Sequence, residues 1–243
     1  AMISRSLLVV LLTGVIGGVL VTGAQELRVT PLILYAETFE GDAVGHSHDE
    51  ATASDDAHEE EDWAPNDGLE RTLYTCMSNI VTGVAFALLL VAVYLLRGRP
   101  VDFNTGLLWG AAGFVVFVGA PALGLPPELP GMTAAGLEAR QAWWGGTVIA
   151  TALGIGLCVE TKTLLPRLLG VVVIALPHVT GAPHPHMLES NVPAALSVQF
   201  AVASLFTSAF FWMVLGATSG HFFQKLVFRI PGGKPPPTNH PFP

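Results

Sequence analysis

Charge is scarce in this 243-residue sequence: only 12% of its residues are Asp, Glu, Lys or Arg. A soluble domain carries roughly twice that share, so the deficit argues against a water-exposed globular surface. Basic residues number 11, and no cluster of them forms a stripe suited to phosphate backbones, which excludes nucleic acid as a partner. Cysteine occurs twice, at Cys76 and Cys158, each at the edge of an apolar segment and without a CxxC pair. The topology derived below puts the two on opposite sides, so no disulfide is expected between them. There is no GxxxxGK[ST] phosphate loop, no HExxH zinc helix and no GxSxG elbow, and hence no recognisable catalytic constellation. The chain is not expected to be an enzyme or to hold an organic cofactor.

What the sequence does have is long apolar runs. Hydrophobic residues make up 51% of it and mean hydropathy is +0.55. A bilayer core about 30 Å thick needs about 20 apolar helical residues. Six runs qualify, at roughly 4–23, 74–96, 105–124, 142–160, 164–180 and 194–217. The fifth is short and closed by Pro177. The first, with Arg5 ahead of Leu7–Val21, also resembles a signal peptide, but the apolar pattern resumes at Leu27–Tyr35 and favours a retained helix. The expected fold is therefore all-α: a polytopic membrane bundle of about six helices. It divides into a first helix with its extension (1–36), an external acidic and His-rich loop (37–72), a five-helix bundle (73–221) and a Pro-rich cytoplasmic tail (222–243).

Six spans with both termini inside put Arg5, Arg97, Arg99, Lys162, Arg167, Lys225, Arg229 and Lys234 on the cytoplasmic side. Only Arg28, Arg71 and Arg140 fall outside, so the 11 basic residues split 8 to 3 as the positive-inside rule asks. Of 19 acids only Asp102 and Glu160 fall inside, which leaves a strongly anionic outer face. Trp143, Trp144 and Trp212 read as interfacial rings. Gly14/Gly18 and Gly106/Gly110 are GxxxG pairs that permit close helix contact.

Two histidine clusters fall on the outer side. In the first loop, Gly45–Glu50 and Asp55–Asp62 set His46 and His48 among carboxylates. Such a segment cannot bury apolar surface and is expected to be disordered. Its nitrogen and oxygen donors suit borderline divalent ions, although the spacing matches no fixed site and a solvating acidic linker explains it equally well. The second cluster follows Pro177: His178, then His184 and His186 in Gly181–His186, where prolines stiffen the backbone. Glu37, Glu40, Asn79, Glu128, Arg140 and Gln141 converge on the same side. Imidazole and carboxylate groups rimming a bundle mouth are what a metal-entry vestibule requires. Metal binding by these imidazoles should weaken as pH falls through about 6.5, because the protonated ring cannot ligate.

The run Leu123–Gly131, the following Ala139–Trp144 and the later Leu176–His184 together resemble the CbtA family of predicted cobalt transporter components. Val192-Pro193-Ala194, Phe211-Trp212, Leu215-Gly216 and the acid-tipped Ala36–Glu40 fit the same pattern. The resemblance spans nearly the whole chain and covers Glu128, Arg140, Gln141, His178 and His184. It implies a bacterial inner-membrane protein that supplies Co²⁺ for cobalamin synthesis, alongside a second, small, single-span protein that carries histidines of its own. It also implies five spans where six are counted here. Ligand type alone would serve Ni²⁺ or Zn²⁺ as well. The competing expectation is a non-transporting metal-binding scaffold that feeds a separate permease.

Overall fold

The computed structural model describes residues 2–44, 65–185 and 190–228, and all regular structure among them is helical. Helix α1 (Met2–Arg28) is followed after Val29 by α2 (Thr30–Val44), and then come α3 (Leu69–Arg97) and α4 (Phe103–Ala122). The remaining helices are α5 (Leu137–Glu160), α6 (Leu164–Thr180) and α7 (Ala194–Phe228). Five of these, α1, α3, α4, α5 and α7, are long and apolar enough to cross a membrane. Helix α6 has 17 residues, about 25 Å, at the lower limit for a span. It nonetheless runs the length of α5: Gly170 meets Cys158 at one end, and the His178 ring meets the Trp143 ring at the other.

Large aliphatic side chains such as Leu7, Leu88, Leu108, Ile149 and Leu169 face outward along every helix. A belt of that extent would drive aggregation in water, whereas lipid tails cover it at no cost. This is an integral membrane protein with a polytopic helical fold.

Association of such helices depends on close van der Waals packing, because lipid is as apolar as the helix surface. Both glycine pairs seen in the sequence carry this packing. A methyl group at Gly14 or Gly18 would lie 2.5 Å from the Val84 or Ile80 backbone of α3. Gly106 and Gly110 of α4 lie directly on Gly216, Gly220 and the Trp212 carbonyl of α7, with no room for a side chain. A third contact of this kind joins α5 to α6, where a methyl at Gly154 would come within 2.6 Å of the Gly170 carbonyl oxygen. Tyr94 and Ser219 add a buried hydroxyl pair 3.0 Å apart between α3 and α7.

The chain crosses back and forth so that Arg5, Arg97, Arg99, Lys162, Arg167 and Lys225 lie at one end, where Arg97 also pairs with Glu160. This basic end carries tight local signals. Gly98 closes α3 in the left-handed conformation (φ 60°), and Asp102 caps α4 by accepting the Thr105 amide at 2.8 Å. That amide holds the Asp102 carboxyl below its usual range. The opposite, acidic end holds Glu26, Glu37, Asp67, Glu70, Glu128 and Glu138. Cys76 lies toward this end and Cys158 toward the basic one.

Four sequence expectations change. Trp212 is not interfacial: it is 2% exposed, stacked on Phe117 (5.4 Å, 9°) and tilted on Phe86 (4.7 Å) in the middle of the bundle. Its position near the end of an apolar run misled, because α7 continues helically to Phe228 and places it centrally. Pro177 does not close α6; the helix runs on to Thr180, so His178 sits in its last turn. Both ends of the expected first loop are helical, in α2 as far as Val44 and in α3 from Leu69. Residues 222–228, assigned to the tail, belong to α7. The centre of the first loop, with His46 and His48, and the tail from residue 229 lie outside the described residues.

Candidate metal-entry face

The acidic end is assembled from three adjoining groups. The first is polar and pins α2 to α3. Arg71 grips Glu37 through Nη2 to Oε1 at 2.6 Å and Nη1 to Oε2 at 3.3 Å, and reaches Asp67 at 2.9 Å. Thr72 donates to Glu26 at 3.2 Å. Asn79, about two turns deeper, donates through Nδ2 to Gln25 Oε1 at 2.6 Å and to Thr22 Oγ1 at 3.0 Å. Both Glu37 oxygens are thus engaged by Arg71, and a metal would have to compete for them. Glu40 lies on α2, three residues further along.

The second group lies between α4, the turn after it and α5. Arg140 holds Glu128 at 2.9 Å, and the two line a cavity of about 330 Å³ with Gln141 and Trp144. Arg71 and Arg140 at this end are each tied to carboxylates, while Arg28, at the end of α1, is exposed.

The third group contains the imidazoles. His178 and His184 line one cavity of about 300 Å³, walled by Leu123, Gly124, Trp143 and Ala182. Gly181, at φ 84°, lets the chain leave α6 and fold His184 back toward His178, a conformation that a side chain would strain. Gly124 is equally required, because a methyl there would run into the Trp143 ring and lie 2.9 Å from Ala182 Cβ. Trp143 stands edge-on to His178, ring centres 5.8 Å apart, and donates its Nε1–H to the Pro177 carbonyl at 3.2 Å.

The structure thus brings together His178 with His184, and Glu128 with Arg140 and Gln141, while Glu37 and Asn79 belong to the polar group on α1–α3. His186 lies outside the described residues, and no three His, Cys, Asp or Glu side chains converge as a metal-ligating set among the described ones. Two imidazoles lining one cavity offer two of the donors that a four-coordinate shell needs.

One element of this face went unseen in the sequence. In α4 the helix widens into a π turn over Val115–Gly119, with the Ala120 amide reaching back five residues to Val115. The cause is Pro121, whose ring cannot donate to the Phe117 carbonyl four residues earlier and would collide with it. Trp144 of α5 supplies the missing donor at 3.3 Å. Trp143 and Trp144 therefore anchor α5 to two different helices. A proline inside an apolar run was the available signal.

A family model described as probable cobalt transporter subunit (CbtA) matches residues 3–224. The chain belongs to this family. No curated protein and no solved structure matches it. The family is one of transporter subunits rather than enzymes, its cargo is a metal ion, and membership of a multi-component transporter implies a partner.

Proposed function

We infer that the protein is the membrane component of a divalent metal uptake system, with cobalt as cargo, and that it captures the ion at its acidic end. The shared cavity of His178 and His184 carries this reading, since two borderline donors line it together. His186, Glu37, Glu40, His46 and His48 are the further candidate ligands. Glu128, Arg140, Gln141 and Asn79 shape the entry. Family membership supports cobalt over nickel and zinc.

The acidic end is external by this reading, because the basic end satisfies the positive-inside rule. Both chain termini then lie in the cytoplasm and the membrane is the bacterial inner one. The partner is a small single-span protein with further histidines, and the ion is destined for cobalamin synthesis.

The rival role, a scaffold that binds the metal and passes it to a separate permease, draws support from the rings of Phe86, Phe117 and Trp212 packed across the bundle's middle. Uptake of radiolabelled cobalt into vesicles containing this chain, alone and with its partner, separates the two. Accumulation above empty vesicles supports a conduit. Binding without accumulation in either preparation would overturn it in favour of the scaffold.

A further inference from the structure

Helix α5 packs on α4 chiefly over Val115–Ala122, toward the acidic end. Toward the basic end the hairpin and the rest of the bundle part. Among the described residues, the bond that spans them there is the ion pair of Arg97, the last residue of α3, with Glu160, the last of α5. The helix faces on this half are uncovered. Nothing lies within 4 Å of a methyl group placed at Gly156, and Leu108 of α4 and Leu153 and Val159 of α5 are exposed.

The same ion pair draws the turn between α3 and α4 to the turn between α5 and α6, and gathers the cations of both. Arg97 lies over the Trp109 ring, 5.2 Å from its centre. Arg167 donates its Nε–H to the Thr161 carbonyl at 3.0 Å, which brings its guanidinium to the second turn and leaves both Nη groups to donate. Arg99 and Lys162 are exposed and have no partner among the described residues. The two acids of these turns are already engaged, Glu160 by Arg97 and Asp102 by the α4 cap. Three cations therefore face outward beside the gap with no carboxylate free to neutralise them.

We propose that an anionic phospholipid occupies this gap, with its phosphate on Arg99, Lys162 and Arg167 and its acyl chains between the uncovered halves of α4 and α5. The gap calls for both parts of such a molecule. Cations at a membrane boundary attract anionic headgroups, and Lys and Arg stems are long enough to reach them from the helix ends. Exposed leucine and valine beside them are matched by hydrocarbon chains. A free phosphate brings no chain, and a zwitterionic lipid brings no net charge. A lipid held here fills the space between hairpin and body at the end that the Trp144 bond does not reach.

Native mass spectrometry tests this on the full chain in mild detergent, equilibrated with an equimolar mixture of phosphatidylglycerol and phosphatidylcholine of matched chains. The wild type should retain phosphatidylglycerol in preference. Each cation near an anionic headgroup is worth about five-fold in binding. Arg99→Gln/Lys162→Gln, which removes no bond described within the protein, should therefore weaken retention at least about ten-fold. Arg5→Gln/Lys225→Gln removes the same charge from α1 and α7 rather than from the joined turns, and should leave retention unchanged. Glycerol phosphate, a headgroup without chains, should not displace the lipid at equal concentration. Absence of a preference for phosphatidylglycerol, equal retention in the wild type and the Arg99/Lys162 variant, equal loss in both variants, or displacement by glycerol phosphate would overturn the proposal.

Discussion

Helices α1, α3, α4 and α7 are packed backbone on backbone, whereas α5 and α6 form a hairpin that meets this body chiefly at the π turn of α4 and the turn following it. The body owes its tightness to glycines at its crossings and to buried rings such as Trp212. The hairpin has one glycine contact of its own, Gly154 on Gly170, and elsewhere presents Gly145, Gly146 and Gly156 to open space. Yet the hairpin and its flanks carry His178, His184, Arg140 and both anchoring tryptophans. Close helix packing lies in one region and the two described imidazoles of the acidic end in the other, and the regions are joined by directional bonds: Trp144 to Phe117, Arg140 to Glu128 and Arg97 to Glu160.

The sharpest way to break this contrast is to add bulk to each region. Gly216→Leu should prevent assembly of the body, since overpacking costs about 1–3 kcal/mol even where neighbours yield, and here the neighbours are backbone. Gly156→Leu in the hairpin should be tolerated, and size-exclusion profiles in detergent would distinguish them. Two monodisperse variants would show that the glycine packing is not decisive.

The joint comes next. Trp144→Phe keeps the ring but leaves the Phe117 carbonyl without its donor, at a cost of about 1–3 kcal/mol. The thermal unfolding midpoint should fall and the hairpin should gain hydrogen exchange before the body does. Unchanged exchange in α5 and α6 would mean that the bond does not hold the two regions together.

Smaller effects belong to the ends. Asp102→Ala removes the α4 cap and should lower stability by about 1 kcal/mol. The Thr105 amide depresses the Asp102 carboxyl, so the cap's contribution is complete above the ordinary aspartate range. It is lost as pH falls through the lowered folded value. Asp102→Asn should therefore flatten the acid limb of a stability profile while keeping most of the cap. Glu128→Gln, at a partly exposed ion pair, should cost no more than about 1 kcal/mol, and less at high salt.

How much of this was legible in the sequence follows the same division. Gly14/Gly18 and Gly106/Gly110 could be read because small residues at i and i+4 make a flat helix face whatever the partner, although the partner itself could not be named. His178 and His184 were legible as a cluster because only a short proline-stiffened turn separates them. Trp212 was misread because ring position along an apolar run does not say whether lipid or protein surrounds it. Glu37 looked available because Arg71, which binds it, is 34 residues away in sequence.

Calorimetric titration of Co²⁺ into the purified protein, comparing wild type with His178→Ala/His184→Ala/His186→Ala, bears most directly on the claim that the hairpin end captures the metal. Loss of a stoichiometric cobalt site in the triple variant, with the fold intact by circular dichroism, is the predicted result. An isotherm identical to wild type would contradict it and move capture to the acidic segment before α3 or to the partner protein.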